Sequence, residues 1–383
     1  MFDRRAALPD ILRGMDLTFS HITALVLLRI WSCNHPLTLR AFHDLRPRDA
    51  GHLPFRHLRE PRPIVGSADT EAAVRMAIEN VKKPSMRHTL DKLWDEASEK
   101  NPLHVLVGPK RGRHSTQRIL FHQISAPLPS HALLEIAPGI AVCSPEMVFV
   151  QMAEALSVAE LIALGYELCG CYPLDTERSE ALVRAPLTTP ARLSAFVDRA
   201  DRVRGVRKAR IAVRYVRAKS ASPKETEMDA LLLTPQKWGG MGFPEALVNE
   251  PVSLSSRAAR ILRGNRVVCD LLWPQYSLAA EYDGREAHLS RHQQTRDSRR
   301  RDALLANGTD VVTITSPQID GVSDFLEVAD AISRKMKRRP LKRTETFWER
   351  HLQLRHGIRS YHCNYLSRPS RRDDAMPDGP APR

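Results

Sequence analysis

Three carboxylates in the C-terminal half of the chain are spaced for chemistry. Glu281 and Asp283 lie two residues apart in "YSLAAEYDG", where a β-strand would project both acids from one face and Tyr282 from the other. Asp270 follows the apolar run "RVVC", and the short turn "WPQ" would bring its strand beside that of Glu281. Oxygen donors on neighbouring strands suit Mg²⁺ or Mn²⁺, which take carboxylates together with water and phosphate oxygens. Residues 281–301 also hold six arginines. Acids beside so much positive charge match what phosphodiester hydrolysis needs: a metal at the acids to activate water, and arginines to hold the strand.

Individual roles follow from residue type. Arg296, Arg299 and Arg300 outnumber the acids within helical reach, so some are expected to meet phosphate, which suits the planar arginine fork, or solvent. His288 has the near-neutral pKa of a proton-transfer group and equally reads as a surface histidine near a turn. Glu225 completes the pattern Ser222-x-x-Glu225, a capping box at a helix start.

The elements that must position these residues are legible from periodicity and turn chemistry. Over 219–335 the order is a helix opened by Ser222-Pro223, strands at "EPVSL", "RVVCDLLW" and "YSLAAEYD", a helix across 291–307 closed by Gly308, a strand "DVVTITS", and a helix from about Val322. Three successive strands predict an antiparallel meander, and strand-helix-strand predicts a right-handed crossover. Upstream, 1–135 reads as mixed α/β, with "LTFSHITALVLLRIW" helical and "LHVLVG" and "QRILFHQI" a strand pair across the basic turn "PKRGRHST". Residues 136–218 read as helical, with a cap at Ser144-Pro145 and a capping box at Ser157–Glu160. The class expected is α/β in the α+β sense, a mixed sheet flanked by helices.

Bulk composition narrows the setting. A chain of 383 residues, 42% apolar and 27% charged, can bury a sizeable core, and its first apolar run, 22–28, is too short for a membrane span. Scattered cysteines, with no metal-knuckle spacing, predict a reducing, cytoplasmic compartment. The net charge of +14 is uneven: between 334 and 372 stand 13 Lys and Arg against two glutamates. Residues 336–383 therefore read as a basic, flexible tail, either binding polyanions through counterion release or merely solvating the chain.

Taken as a set, "ETEMDALLL", "GGMGFPEALVN", "VVCDLLWPQYSLAAEYDG" and "RDSRRRDALLANGTDVVTITSPQI" resemble the restriction-endonuclease-like, or PD-(D/E)XK, superfamily, in the branch similar to very-short-patch repair endonucleases. The positions that carry the resemblance are Glu225, Asp270, Glu281, Asp283, Gly284, His288, Asp297, Arg300, Leu304 and Gly308. It implies a restriction-endonuclease-like domain over 219–335, with Asp270, Glu281 and Asp283 as metal ligands, His288 in proton transfer and Glu225 orienting water or metal. The lysine usual two residues after the glutamate is here Asp283. Residues 15–218 resemble more loosely the body of abortive-infection antitoxins of type IV toxin–antitoxin systems. Two functions are thus expected: a metal-dependent DNA endonuclease in a defence, repair or mobile-element setting, or a non-catalytic, antitoxin-like regulator that binds nucleic acid and a cognate toxin or repair partner.

Overall fold

The computed structural model describes residues 17–37, 51, 53–58, 70–107, 115–123, 127–172, 174, 183–284 and 291–366. In chain order the elements are β1 (Leu17–Phe19), α1 (His21–Cys33), β2 (Pro36–Leu37), β3 (Arg56–Leu58), α2 (Thr70–Glu79), α3 (Pro84–Glu96), β4 (Leu103–Val107) and β5 (Ile119–Gln123). Next come β6 (Leu133–Ala137), β7 (Ile140–Cys143), α4 (Pro145–Met152), α5 (Val158–Cys169), β8 (Val183–Arg184), α6 (Pro190–Arg199) and α7 (Val206–Ala212). The remainder holds α8 (Pro223–Leu233), β9 (Leu247–Ser253), α9 (Ser256–Leu262), β10 (Arg266–Trp273), β11 (Leu278–Asp283), α10 (Arg291–Ala306), β12 (Asp310–Thr315), α11 (Ser316–Asp320), α12 (Val322–Lys335) and α13 (Glu345–Leu366).

A mixed sheet of order β3-β6-β7-β1-β4-β5 occupies the first third. The strand pair "LHVLVG" and "QRILFHQI" pairs in parallel as β4 and β5, so its connection is a crossover rather than a hairpin. The stretch expected to be one helix from Leu17 onward divides: Leu17–Phe19 joins the sheet as β1 and the helix begins at His21. Downstream, the caps form as the local chemistry dictates. Ser144 Oγ accepts from Met147 N at the start of α4, and Ser157 and Glu160 complete a reciprocal box at α5.

The second sheet has the order β9-β10-β11-β12. β9, β10 and β11 are antiparallel, and β12 returns parallel to β11 after α10. Helix α9, between β9 and β10, was not expected; Ser255 caps it by accepting from Ala258 N, a short signal easily read as a turn. Gly308, at φ 77°, ends α10 as expected, and Thr309 N beyond it donates to Leu304 O. α9 and α10 cover one sheet face through Val267, Cys269, Leu272, Ala279 and Leu304. Leu271, Trp273, Leu278, Ala280 and Ile314 face the other way, into a core shared with α5, α8, α12 and α13.

That shared core corrects the expected tail. Residues 345–366 are a 22-residue helix, with Phe347, His351, Leu354, Ile358 and Tyr361 buried along one face against α5 and α8. Gly357 allows the approach to α5, because a Cβ there would meet Ala159 Cβ at 2.5 Å. Its arginines are largely spoken for. Arg355 donates to the carbonyls of Ile319 and Asp320, and Arg359 donates to Glu227 Oε1 at 2.5 Å and Asp320 Oδ1 at 3.0 Å. The basic composition here is that of a helix whose cations cap a neighbouring helix and pair with buried acid, so it is not a detachable extension. Residues 367–383 lie outside the described residues. No described helix is long and apolar enough to cross a membrane.

Candidate active site

The site is built where β10 parts from β11. Their ladder runs from Leu271↔Ala280 to Trp273↔Leu278, and Asp270 is the first residue past it. Side-chain alternation shifts by one residue there: Val267, Cys269 and Leu272 face α10, while Leu271 and Trp273 face the main core. In place of a ladder bond, Asp270 Oδ2 accepts from Tyr282 N at 2.7 Å. Opposite, on β9, Asn249 takes the left-handed backbone at φ 47° and aims its amide away from the ladder. Asn249 Nδ2 donates to Glu225 Oε2 at 2.8 Å and to Lys219 O at 3.0 Å. Two strand irregularities thus turn an acid and an amide toward the start of α8.

The expected box at Ser222 is not closed, since the backbone N–H that Glu225 takes is that of Ala221 rather than Ser222. The Glu225 N–H donates to Ser222 Oγ at 3.1 Å, Ser222 Oγ donates back to Oε1 at 3.1 Å, and Oε2 accepts from Ala221 N at 2.9 Å. Even so, burial, with Asp270 beside it, pushes the Glu225 carboxyl up to about 7. Burial also raises Asp270, against the Tyr282 N–H and the Arg300 guanidinium. One turn along α8 from Glu225 lies Asp229, wholly buried, with neither carboxylate oxygen hydrogen-bonded. Burial, then Glu225 and Asp270, hold it well above the usual carboxylate range, opposed by Arg217. An acid four residues after Glu225 within the apolar run "MDALLL" was the available signal for Asp229, and sequence reasoning missed it.

Glu281 faces α10, as strand alternation predicts, while Tyr282 packs against the main core and its OH hydrogen-bonds Ser316 Oγ at 2.7 Å. Glu281 Oε1 accepts from Arg300 at 2.8 Å, and the same arginine nitrogen donates to Val268 O. Burial still leaves the Glu281 carboxyl raised, with Arg300 opposing and Asp270 reinforcing. Arg300 is thus held by Glu281 and the Val268 carbonyl, while Arg296 is exposed and Arg299 partly buried on the same helix. Asp283, partly buried, pairs with Thr315 at the end of β11. Asp270, Glu281 and Asp283 do not bring three ligand atoms within 4.8 Å of one another; among the described residues only His21, His104 and His122 do. The reason is local: Asp270 leans to Tyr282 N and α8, whereas Glu281 leans to Arg300. His288 lies outside the described residues.

The donor set nonetheless fits a hard divalent cation. Glu225 and Asp270 each raise the proton affinity of a carboxyl in this group, Asp229 has unmatched oxygens, and Mg²⁺ needs only one or two carboxylates with water. The chain matches no family model, no curated protein and no solved structure.

Proposed function

We propose that the chain is a divalent-metal-dependent nuclease acting on DNA phosphodiesters, with its site at Glu225, Asp270 and Glu281. The observation that carries this reading is Asp270 on β10 standing between Glu225 of α8 and Glu281 of β11, near enough to raise the carboxyl of each, although the three do not bring their oxygens within 4.8 Å of one another. Acids that raise one another's pKa in a partly buried cleft mark a functional-site candidate. The order helix, antiparallel β9-β10-β11, helix, parallel β12 supports a restriction-endonuclease-like arrangement. Bound Mg²⁺ or Mn²⁺ would lower the pKa of a water and offset charge on the phosphate. Glu225 and Asp270 would hold the ion. Asn249 and Ser222 fix the Glu225 carboxylate in place, and Tyr282 N does the same for Asp270. Arg300, close to Glu281, supplies positive charge near the slot where the usual lysine is Asp283.

One observation favours the second reading, a non-catalytic regulator that binds nucleic acid: Arg300 already neutralises Glu281 without a metal. Cleavage of single-stranded, double-stranded and mismatched DNA with Mg²⁺ or Mn²⁺ separates the two. The nuclease reading expects cutting by the wild type and, for Asp270→Asn, loss of cutting by about 10²-fold or more with DNA binding equal or stronger. Binding with no cut on any substrate gives the function to the regulator.

A further inference from the structure

Far from the acids in sequence, three histidines meet at the edge of the first sheet. His104 on β4 and His122 on β5 belong to neighbouring parallel strands in the register His104↔Leu120 and Leu106↔His122. With alternation of two, both rings project from one face as diagonal neighbours. His104 Nδ1 and His122 Nε2 are 2.9 Å apart. The third ring comes from the β1–α1 junction: His21 stacks on His122 with centroids 3.6 Å apart. One ligand nitrogen from each residue lies within 4.8 Å of the other two.

The scaffold behind the rings is fixed from several sides. His21 takes the left-handed backbone at φ 48°, a conformation unfavourable for a residue with a Cβ. Its N–H donates to Gln151 Oε1 at 3.2 Å, Ser20 N donates to His104 O at 2.9 Å, and His104 N donates to Thr23 Oγ1 at 2.9 Å. His21 Nδ1 lies 3.0 Å from Ser20 Oγ. A proton on that Nδ1, donated to the hydroxyl, would leave the Nε2 lone pair for a metal, as the outer partners of metal-bound imidazoles do.

We propose that His21, His104 and His122 bind a borderline divalent transition-metal ion of the Zn²⁺ class, separate from the cation of the acid site. Imidazoles select such ions, whereas Mg²⁺ takes oxygen. Tetrahedral Zn²⁺ with Zn–N of 2.0–2.1 Å sets its nitrogens about 3.3 Å apart; here two of the nitrogens are 2.9 Å apart and all three lie within 4.8 Å of one another. Modest ring rotations close the set. Three protein nitrogens leave the fourth position to water. All three residues are partly exposed, so the ion has access from solvent.

The test uses the full chain without an appended histidine tag, stripped with a chelator. Calorimetric titration with Zn²⁺ and visible absorption with Co²⁺ are expected to give one equivalent per chain and the intense bands of a tetrahedral nitrogen site. His122→Gln and, separately, His104→Gln should each weaken Zn²⁺ binding at least about tenfold, with the circular dichroism of the metal-free chain unchanged. Asp270→Asn should bind Zn²⁺ as the wild type does. No uptake by the wild type, or uptake undiminished in whichever histidine variant folds, overturns the proposal. So does loss of uptake in Asp270→Asn alone, which would assign the ion to the acids.

Discussion

Two regions of this molecule bury carboxylates, and they handle the charge in opposite ways. In the first, Glu167 of α5 is fully buried and answered at every point: Arg29 donates to Oε1 and Oε2, each at 2.7 Å, and Tyr361 OH donates to Oε2. Its carboxyl is held below the usual range despite burial, because the guanidinium and the phenol outweigh desolvation. In the second, Glu225, Asp229 and Asp270 gather with no cation of comparable closeness among the described residues, and their carboxyls are raised. The first arrangement needs nothing from outside the chain. The second is left short of positive charge among the described residues, the condition that the proposed metal site requires.

The contrast breaks most visibly through Glu167→Gln. Removing one partner of a buried pair leaves Arg29 uncompensated, and a loss of about 3–5 kcal/mol in urea unfolding is expected. A loss below about 1 kcal/mol would mean that water reaches the pair. Smaller, and of opposite sign, is Glu225→Gln. The folded chain holds the Glu225 proton up to about 7 and the unfolded chain only to 4.5. Native protein therefore binds more protons in that window, and stability falls as pH rises from 4.5 to 7. The neutral variant should flatten that fall and be more stable above pH 7 by at most about 3 kcal/mol, with little difference at pH 4. Added Mg²⁺ should stabilise the wild type at high pH and the variant less. Glu167, whose carboxyl is lowered, works the other way: its contribution is present above its unfolded value of 4.5 and lost as pH falls. Tyr361→Phe removes one charge-assisted bond, and a loss of about 1.5–3 kcal/mol is expected, measurable as a shift in the acid limb of the stability profile.

How far the sequence could be read differs between the same two regions. Asp270 and Glu281 were found because strand alternation and a short turn are local facts, and the caps at Ser144, Ser157 and Gly308 depend only on adjacent backbone. The re-aiming of Asp270 was not legible, since it depends on the shift opposite Asn249, 21 residues earlier in the chain. Nor was Arg300 as partner of Glu281, because a helix rich in arginine gives no sign of which one turns inward. The tail was misread by weighing charge over periodicity. Positions 347, 351, 354, 358 and 361 alternate by four and three, the stripe of a helix with one buried face. Glu167, with its partners 138 and 194 residues away, could not be paired by any local rule.

Those separations bear on how the chain is made. Arg29 and Glu167 are both synthesised long before Tyr361, which completes the pair from 194 residues further on. At about 5–20 residues per second, that interval is about 10–40 s of translation. Throughout it, a nascent chain that folded α1 onto α5 would bury a carboxylate lacking one donor, beside a groove waiting for α13. The ribosome-bound intermediate is therefore expected to keep the face of α5 open until residues 345–366 emerge, a window in which a chaperone would find apolar surface to hold.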